Sequence, residues 1–123
     1  MAKKILVVDD DVDIVTLEKR ILEREGFEVV TAMDGASAIG ILEKETFDLI
    51  LLDIMMPGMD GFEVSRSIQD KPESSPRAPV VFVTARDDSQ SMREGFRSGG
   101  TVFLSKPFTA NQLVRIVKSM IDR

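Results

Sequence analysis

Apolar residues along this chain follow two alternating rhythms. Ile5-Leu6-Val7-Val8, Leu49-Ile50-Leu51-Leu52, Val80-Val81-Phe82-Val83 and Val102-Phe103-Leu104 are apolar throughout, whereas Phe27-Glu28-Val29-Val30-Thr31 mixes polar and apolar positions. A strand covered on both faces needs continuous apolarity, and a mixed run suits a sheet edge. Between the runs the period lengthens to that of a helix. Ile14, Leu17, Ile21 and Leu22 form one stripe ending at Gly26, where a helix can close in the left-handed conformation. Ala38, Ile41 and Leu42 mark a second helix with Asp34 placed to cap it, Val64 and Ile68 a third after Gly61, and Met92 and Phe96 a fourth ending near Gly99-Gly100. Leu113, Val117, Met120 and Ile121 mark the last, and Thr109 with Gln112 has the spacing of a capping box. These stripes are expected to be core or docking surface. Lys71 to Pro79, rich in proline and serine, is expected to be a surface loop.

Five such alternations predict an α/β fold, a doubly wound parallel sheet with helices on both faces. Right-handed crossovers then bring every strand's C-terminal end to one edge, where open α/β sheets bind ligands. The polar residues that follow the runs therefore gather there: Asp9 and Asp10, Asp53, Thr84 and Lys106.

With the first and third strands adjacent, three carboxylates stand together. Like charges about 4 Å apart repel by about 4 kcal/mol at an effective dielectric of 20, so a cation is needed. A hard divalent ion with oxygen ligands meets that need, and Mg²⁺ (or Mn²⁺) leaves water positions that a phosphate can take. Acidic residues after a strand also cap helices, as Asp10 or Asp11 could. Asp53 can form an acyl phosphate. The Thr84 hydroxyl can donate to one phosphoryl oxygen and the Lys106 ammonium can meet another. Singly, a strand-ending threonine and a lysine beside proline are ordinary; their joint position gives them weight.

A chain of 123 residues fits one domain, here expected to span 1–123, with a single core. Without cysteine there is no disulfide framework, and without histidine the commonest zinc ligand and acid/base group are gone. The net charge of −5 disfavours direct nucleic-acid binding. Residues 1–79 are acidic and residues 80–123 basic, which a solvated helix surface accounts for more simply than an acidic partner does. No apolar stretch approaches the roughly 20 residues of a membrane span, and Met1-Ala2-Lys3-Lys4 carries no apolar signal core. The chain reads as soluble and cytoplasmic.

Taken in order and at these intervals, Val7-Val8-Asp9-Asp10, Leu51-Leu52-Asp53-Ile54-Met55-Met56-Pro57-Gly58-Met59-Asp60-Gly61, Val83-Thr84-Ala85 and Lys106-Pro107-Phe108 resemble the response-regulator receiver domain of two-component signalling. The resemblance covers essentially the whole chain. It implies a five-stranded flavodoxin-like sheet in the order 2-1-3-4-5. It also implies that Asp53 accepts a phosphoryl group from a histidine-kinase phosphohistidine, a histidine phosphotransfer protein or a small phosphodonor. Asp10, Asp53 and the Met55 carbonyl would bind Mg²⁺, Asp9 would assist through water, Thr84 and Lys106 would hold the phosphoryl group, and Lys106-Pro107 would be cis. Thr84 and Phe103 would form the switch that alters the surface of helix 4, strand 5 and helix 5, and Met55 and Arg86 would tune the lifetime of the phosphorylated state. Such a protein modifies itself, through its own phosphorylation and slow dephosphorylation, without turning over a substrate. A downstream protein or output domain would read the signal, and phosphorylation-dependent homodimerisation is compatible with it.

The chain departs from the family pattern in three places. Phe103 stands where relatives often carry tyrosine and so offers no hydroxyl; Gly99-Gly100-Thr101 predicts a mobile loop before the fifth strand; and Met55 cannot position a water by hydrogen bonding. Three rival readings of these residues stand beside it. Asp11-Val12-Asp13-Ile14-Val15 imitates the Asp-x-Asp motif of haloacid-dehalogenase phosphatases, but is expected within the first helix turn. Asp9, Asp11 and Asp13 resemble the start of a calcium loop, yet Ile14 and Arg20 stand where it needs glycine and glutamate. A receiver fold that signals as a scaffold without phosphate would make no use of Asp10, Asp53, Thr84 and Lys106 together.

Overall fold

Strands and helices alternate strictly in the computed structural model, which describes residues 2–70, 78–86 and 88–121. In chain order they are β1 Lys4–Val8, α1 Val12–Arg24, β2 Glu28–Ala32, α2 Gly35–Lys44, β3 Leu49–Leu52, α3 Gly61–Gln69, β4 Val80–Thr84, α4 Ser89–Arg97, β5 Gly100–Ser105 and α5 Ala110–Ile121. All neighbouring strands pair in parallel in the order β2-β1-β3-β4-β5, so the mixed-polarity run does lie at an edge. The proline-rich segment expected to be a loop lies, over residues 71–77, outside the described residues. Among the described residues no helix is long and apolar enough to cross a membrane.

Two apolar layers sandwich the sheet, and strand parity divides them. Leu6, Val8, Ile50, Leu52, Val80 and Phe82 meet Ala38 and Leu42 of α2 and Val64 and Ile68 of α3. Ile5, Val7, Leu49, Leu51, Val81 and Val83 face the other way, against Val15 and Leu22 of α1 and Leu113, Val117 and Met120 of α5. Burying each such side chain contributes about 1.5–3 kcal/mol, which is why the three central strands must be apolar on both faces. Aspartates begin four helices: Asp11, Asp34, Asp60 and Asp88 accept from backbone N–H groups of α1, α2, α3 and α4. At α5, Thr109 and Gln112 exchange two hydrogen bonds, 2.9 and 3.1 Å, in a closed capping box. Because Asp11 caps α1, neighbouring Asp10 is left for other chemistry.

Three expectations are corrected. Leu17 is 44% exposed, and the inner stripe of α1 is Val15, Glu18 and Leu22. The cap at Asp11 and the short link from β1 fix the helix start and therefore its rotation, which the apolar count of one face cannot override. Phe96 is half exposed, because α4 turns Ser91 and Gly95 inward and Phe103 from β5 fills the space above Gly95. Gly99 and Gly100 are packed and do not form a loose loop: Gly100 already pairs with Val80, and Gly99, at φ 105°, lies under the Gln69 side chain.

A Cβ on Gly100 would fall 2.3 Å from a carbon of the Phe82 ring, whereas one on Gly40, inside α2, would meet nothing within 4 Å. Gly100→Ala is therefore expected to destabilise by about 1–3 kcal/mol through overpacking. Gly40→Ala is expected to stabilise by about 0.5–1 kcal/mol through its effect on the unfolded chain. Urea titration at unchanged m-value measures both, and equal effects would refute the packing account.

Candidate functional site

The sheet ladder runs one residue past β1 and β3 and so fixes two carboxylates. Asp9 N–H donates to the Ala32 carbonyl at 3.2 Å and Asp53 N–H to the Val8 carbonyl at 3.0 Å. Both residues continue the strand parity that faces the α1 and α5 layer, and both are nearly buried, at 1% and 5% exposure. In each, one carboxylate oxygen accepts from the backbone N–H two residues on: Asp9 Oδ1 from Asp11 at 3.0 Å, Asp53 Oδ1 from Met55 at 3.3 Å. The other oxygen of each meets the same ammonium, with Lys106 Nζ 2.7 Å from Asp9 Oδ2 and 3.1 Å from Asp53 Oδ2. Exposed Asp10 completes a set of three carboxylates, each with one oxygen within 4.8 Å of an oxygen of the others.

Burial pushes the Asp9 carboxyl above its ordinary range, the Lys106 hydrogen bond and the Asp11 N–H pull it back, and the charge of Asp53 adds to the rise. For Lys106, burial alone would lower the ammonium, but the hydrogen bond to Asp9 and the charges of Asp53 and Asp9 outweigh it and raise it. Lys106 is therefore firmly cationic. One ammonium does not balance three carboxylates, and the remaining negative charge, all on oxygen and open to solvent through Asp10, fits a hard divalent cation.

The other expected residues surround this cluster. Thr84 ends β4 fully buried; its Oγ1 accepts from Arg86 N–H at 3.2 Å and its carbonyl accepts from Lys106 N–H at 2.9 Å. Threonine and lysine are thus joined through the backbone, across the register that pairs Thr84 with Ser105. Lys106-Pro107 is cis, as expected. Met55, two residues after Asp53, is 56% exposed, and Arg86, two residues after Thr84, is exposed. Phe103 lies opposite Phe82 in the register, centroids 5.2 Å apart, and 5.8 Å from exposed Phe96; Phe82 in turn meets Phe62 at 5.5 Å. A row of four aromatic rings thereby leads from the core to the surface of α4. Asp11 serves as a helix cap and Asp13 lies in the first turn of α1, away from any nucleophilic position, which removes the support for the phosphatase reading.

Residues that pattern reading passed over hold this geometry. A Cβ on Gly61 would lie 2.2 Å from the Asp53 carbonyl oxygen, so only glycine lets α3 begin against the backbone of Asp53; Gly61 N–H also donates to the Ile54 carbonyl at 3.0 Å. A Cβ on Gly95 would lie 2.6 Å from the Phe103 ring. Both needs arise from distant segments and leave no local signal. Glu18, buried on the inner face of α1, was likewise passed over.

The model of the response regulator receiver domain family matches residues 5–118. Among solved structures, the chain is similar to a two-component response regulator from Clostridium difficile, with 30% identity, 98% of this chain and 97% of that one covered, and a TM-score of 0.91. It is similar also to the chemotaxis response regulator CheY4 of Vibrio cholerae, with 31% identity, 98% and 99% coverage and a TM-score of 0.90. NtrX from Brucella abortus is 34% identical over 99% of this chain but only 27% of its own length, with a TM-score of 0.87.

Removing the ammonium leaves two buried carboxylates facing each other. Lys106→Met is expected to lower stability at pH 7 by about 2–3 kcal/mol, somewhat less than for a fully buried pair because Lys106 keeps some solvent contact. Without Lys106 the Asp9 carboxyl rises further, so the variant gains stability on acidification and its deficit narrows from pH 7 to pH 5. Urea titrations at both values measure this, and a deficit independent of pH would contradict it.

Proposed function

The chain belongs to the response regulator receiver family, and from that premise we propose that it is a phosphorylation-dependent signalling switch in which Asp53 is the phosphoacceptor. One observation carries the assignment: Lys106 bridges Asp53 and Asp9 inside a three-carboxylate cluster at the C-terminal edge of the sheet. The phosphoryl group passes from a phosphohistidine nitrogen, or from a small acyl or amide phosphate, to an Asp53 carboxylate oxygen; the P–N or P–O bond breaks as the new P–O bond forms. Phosphoryl transfer asks mainly for positioning and charge neutralisation. Lys106 pairs with a phosphoryl oxygen, and the Thr84 hydroxyl, whose oxygen already accepts from Arg86, has its proton left to donate to another. Asp10, Asp53 and the Met55 carbonyl would hold Mg²⁺ or Mn²⁺, with Asp9 assisting through water; bound there, the ion supplies positive charge against the carboxylates and the incoming phosphate.

The response runs through Thr84. Once its hydroxyl turns to the phosphoryl group, Phe103, whose ring already lies over Gly95, packs behind it, and the surface formed by α4, β5 and α5 shifts its population between two arrangements. Residues 1–123 act as one receiver unit, addressed by a sensor histidine kinase or histidine phosphotransfer protein and read by a downstream protein or output domain, without direct nucleic-acid binding. A cytoplasmic setting goes with this reading, and homodimerisation on phosphorylation is compatible with it.

Incubation with acetyl phosphate and Mg²⁺ is expected to add one phosphoryl mass to the intact protein and none to Asp53→Asn. No adduct with any acyl or amide phosphate donor would favour the phosphate-independent scaffold instead. Met55 presents a thioether beside Asp53, so no side chain at that position orients an attacking water. Met55→Asn is therefore expected to shorten the phosphorylated half-life several-fold, roughly 1 kcal/mol off the hydrolysis barrier. Decay of the adduct followed by mass spectrometry tests it, and an unchanged or longer half-life would count against it.

A further inference from the structure

The outward side of α4 joins an aromatic ring to positive charge. Phe96 is 50% exposed, yet its ring is held: it stands edge-on to Phe103 of β5, with centroids 5.8 Å apart and planes at 67°. Phe103 is itself half-buried, so the pair of rings reaches from the sheet to solvent. Helix α4 cannot hide Phe96, because Ser91 and Gly95 occupy its inner side and the Phe103 ring fills the space over Gly95. Arg93 and Arg97, three residues before Phe96 and one after it, are exposed and stand one turn apart on the same outward side.

Negative charge is withdrawn from this face. Helices α4 and α5 carry Arg93, Arg97, Arg115 and Lys118 against one carboxylate, Glu94, and β5 carries no charge. Glu94 is turned to the α3 flank, where it pairs with Arg66, and on that flank buried Ser65 Oγ donates to the Ser98 carbonyl at 2.7 Å. At the head of α4 the Asp88 carboxylate accepts from Ser91, N–H and hydroxyl both at 2.9 Å. Lys118 pairs with Glu25 beyond the last turn of α1, whereas Arg93, Arg97 and Arg115 form no ion pair with a described residue. Solvated charge alone gives no reason for the carboxylates to be drawn away from an exposed ring.

We propose that Phe96, flanked by Arg93 and Arg97, is the anchor at which α4 and the adjoining edge of β5 take an acidic segment of a downstream protein. That segment sets an apolar side chain on the Phe96 ring and carboxylates against the two guanidinium groups. The proposal rests on the switch reading above and names the chemistry of what reads it. Aromatic and arginine side chains dominate binding where they are desolvated together, and a guanidinium offers a carboxylate two parallel donors. A second copy is the poorer occupant. A two-fold contact sets the patch against itself, and arginine would meet arginine with Glu94 already engaged. Nucleic acid is opposed by the net charge of −5. Because Phe96 rests on Phe103, the surface that the segment meets depends on where Phe103 stands.

A phage-displayed library of random peptides, selected on the full chain in acetyl phosphate and Mg²⁺, reads the preference of this face, and intact mass of the same preparation reports the Asp53 adduct. Sequences enriched by the wild type and lost on Arg93→Glu with Arg97→Glu, both exposed positions outside the carboxylate cluster, are expected to combine excess aspartate and glutamate with an aromatic or aliphatic residue. A synthetic peptide of the leading sequence is expected to bind Phe96→Ala and the double variant about tenfold more weakly than the wild type, and to weaken as salt is raised. Enrichment that ignores the arginines, or that favours neutral or basic sequences, overturns the proposal. So does a sedimenting dimer of the phosphorylated chain that Phe96→Ala abolishes, since the occupant is then a second copy. Adsorption to phosphatidylglycerol vesicles that the double variant abolishes overturns it in favour of an anionic lipid surface. Each of these failures leaves the phosphoacceptor reading intact where the mass adduct forms; no adduct with any donor overturns both.

Discussion

Carboxylates packed against one another inside a protein demand a cation, and here the fold supplies one of its own in Lys106. Its ammonium reaches Asp9 and Asp53 from the far side of β4, so the last strand must close over the first and third before the acidic edge is tolerable. The reverse also holds. The Lys106 backbone is pinned to the Thr84 carbonyl, and the two carboxylates are pinned by the sheet ladder and by N–H groups two residues on, so none of the charges can relax away. Repulsion that would cost several kcal/mol in an unorganised loop is held in a fixed geometry, and on the proposed function that geometry offers partners both to an added cation and to a phosphoryl group.

That geometry is a consequence of parallel winding. Each strand delivers its following residue to the same edge, and four of the five helices start there with an aspartate cap that keeps its own carboxylate on backbone donors. The division of labour between Asp10 and Asp11 shows how finely the chain separates the two uses of acid. Adjacent in sequence, one closes a helix and the other opens to solvent beside Asp53. The same winding leaves β5 at an edge, where Phe103 lies between the core ring of Phe82 and the exposed ring of Phe96. The core ring of Phe82 is thereby joined through Phe103 to the α4 surface. Gly95 sets the depth of that contact, since any larger residue would expel Phe103 from its place.

The strands, the edge strand, the caps at Asp34 and Thr109, and the gathering of Asp9, Asp10, Asp53 and Lys106 were legible because each depends on local pattern or on strand order. Residues that answer to another segment were not. Gly61 is glycine because the backbone of Asp53 lies against it, and Gly100 because of the Phe82 ring; in the string they look like ordinary turn residues. The rotation of α1 escaped for a related reason. Its sequence carries two overlapping stripes, and the one interrupted by a glutamate looks the weaker, yet the cap and the link from β1 turn that one inward.

The misread rotation and the buried Glu18 Oε1, which has no hydrogen-bond partner among the described residues, have one cause. A helix that could turn freely would have hidden Leu17 and exposed Glu18; the constraint that brings Asp9 and the start of α1 to the acidic edge forbids it. A buried acid is tolerated by remaining protonated, and burial, ahead of the charges of Asp9 and Asp53, pushes the Glu18 carboxyl up.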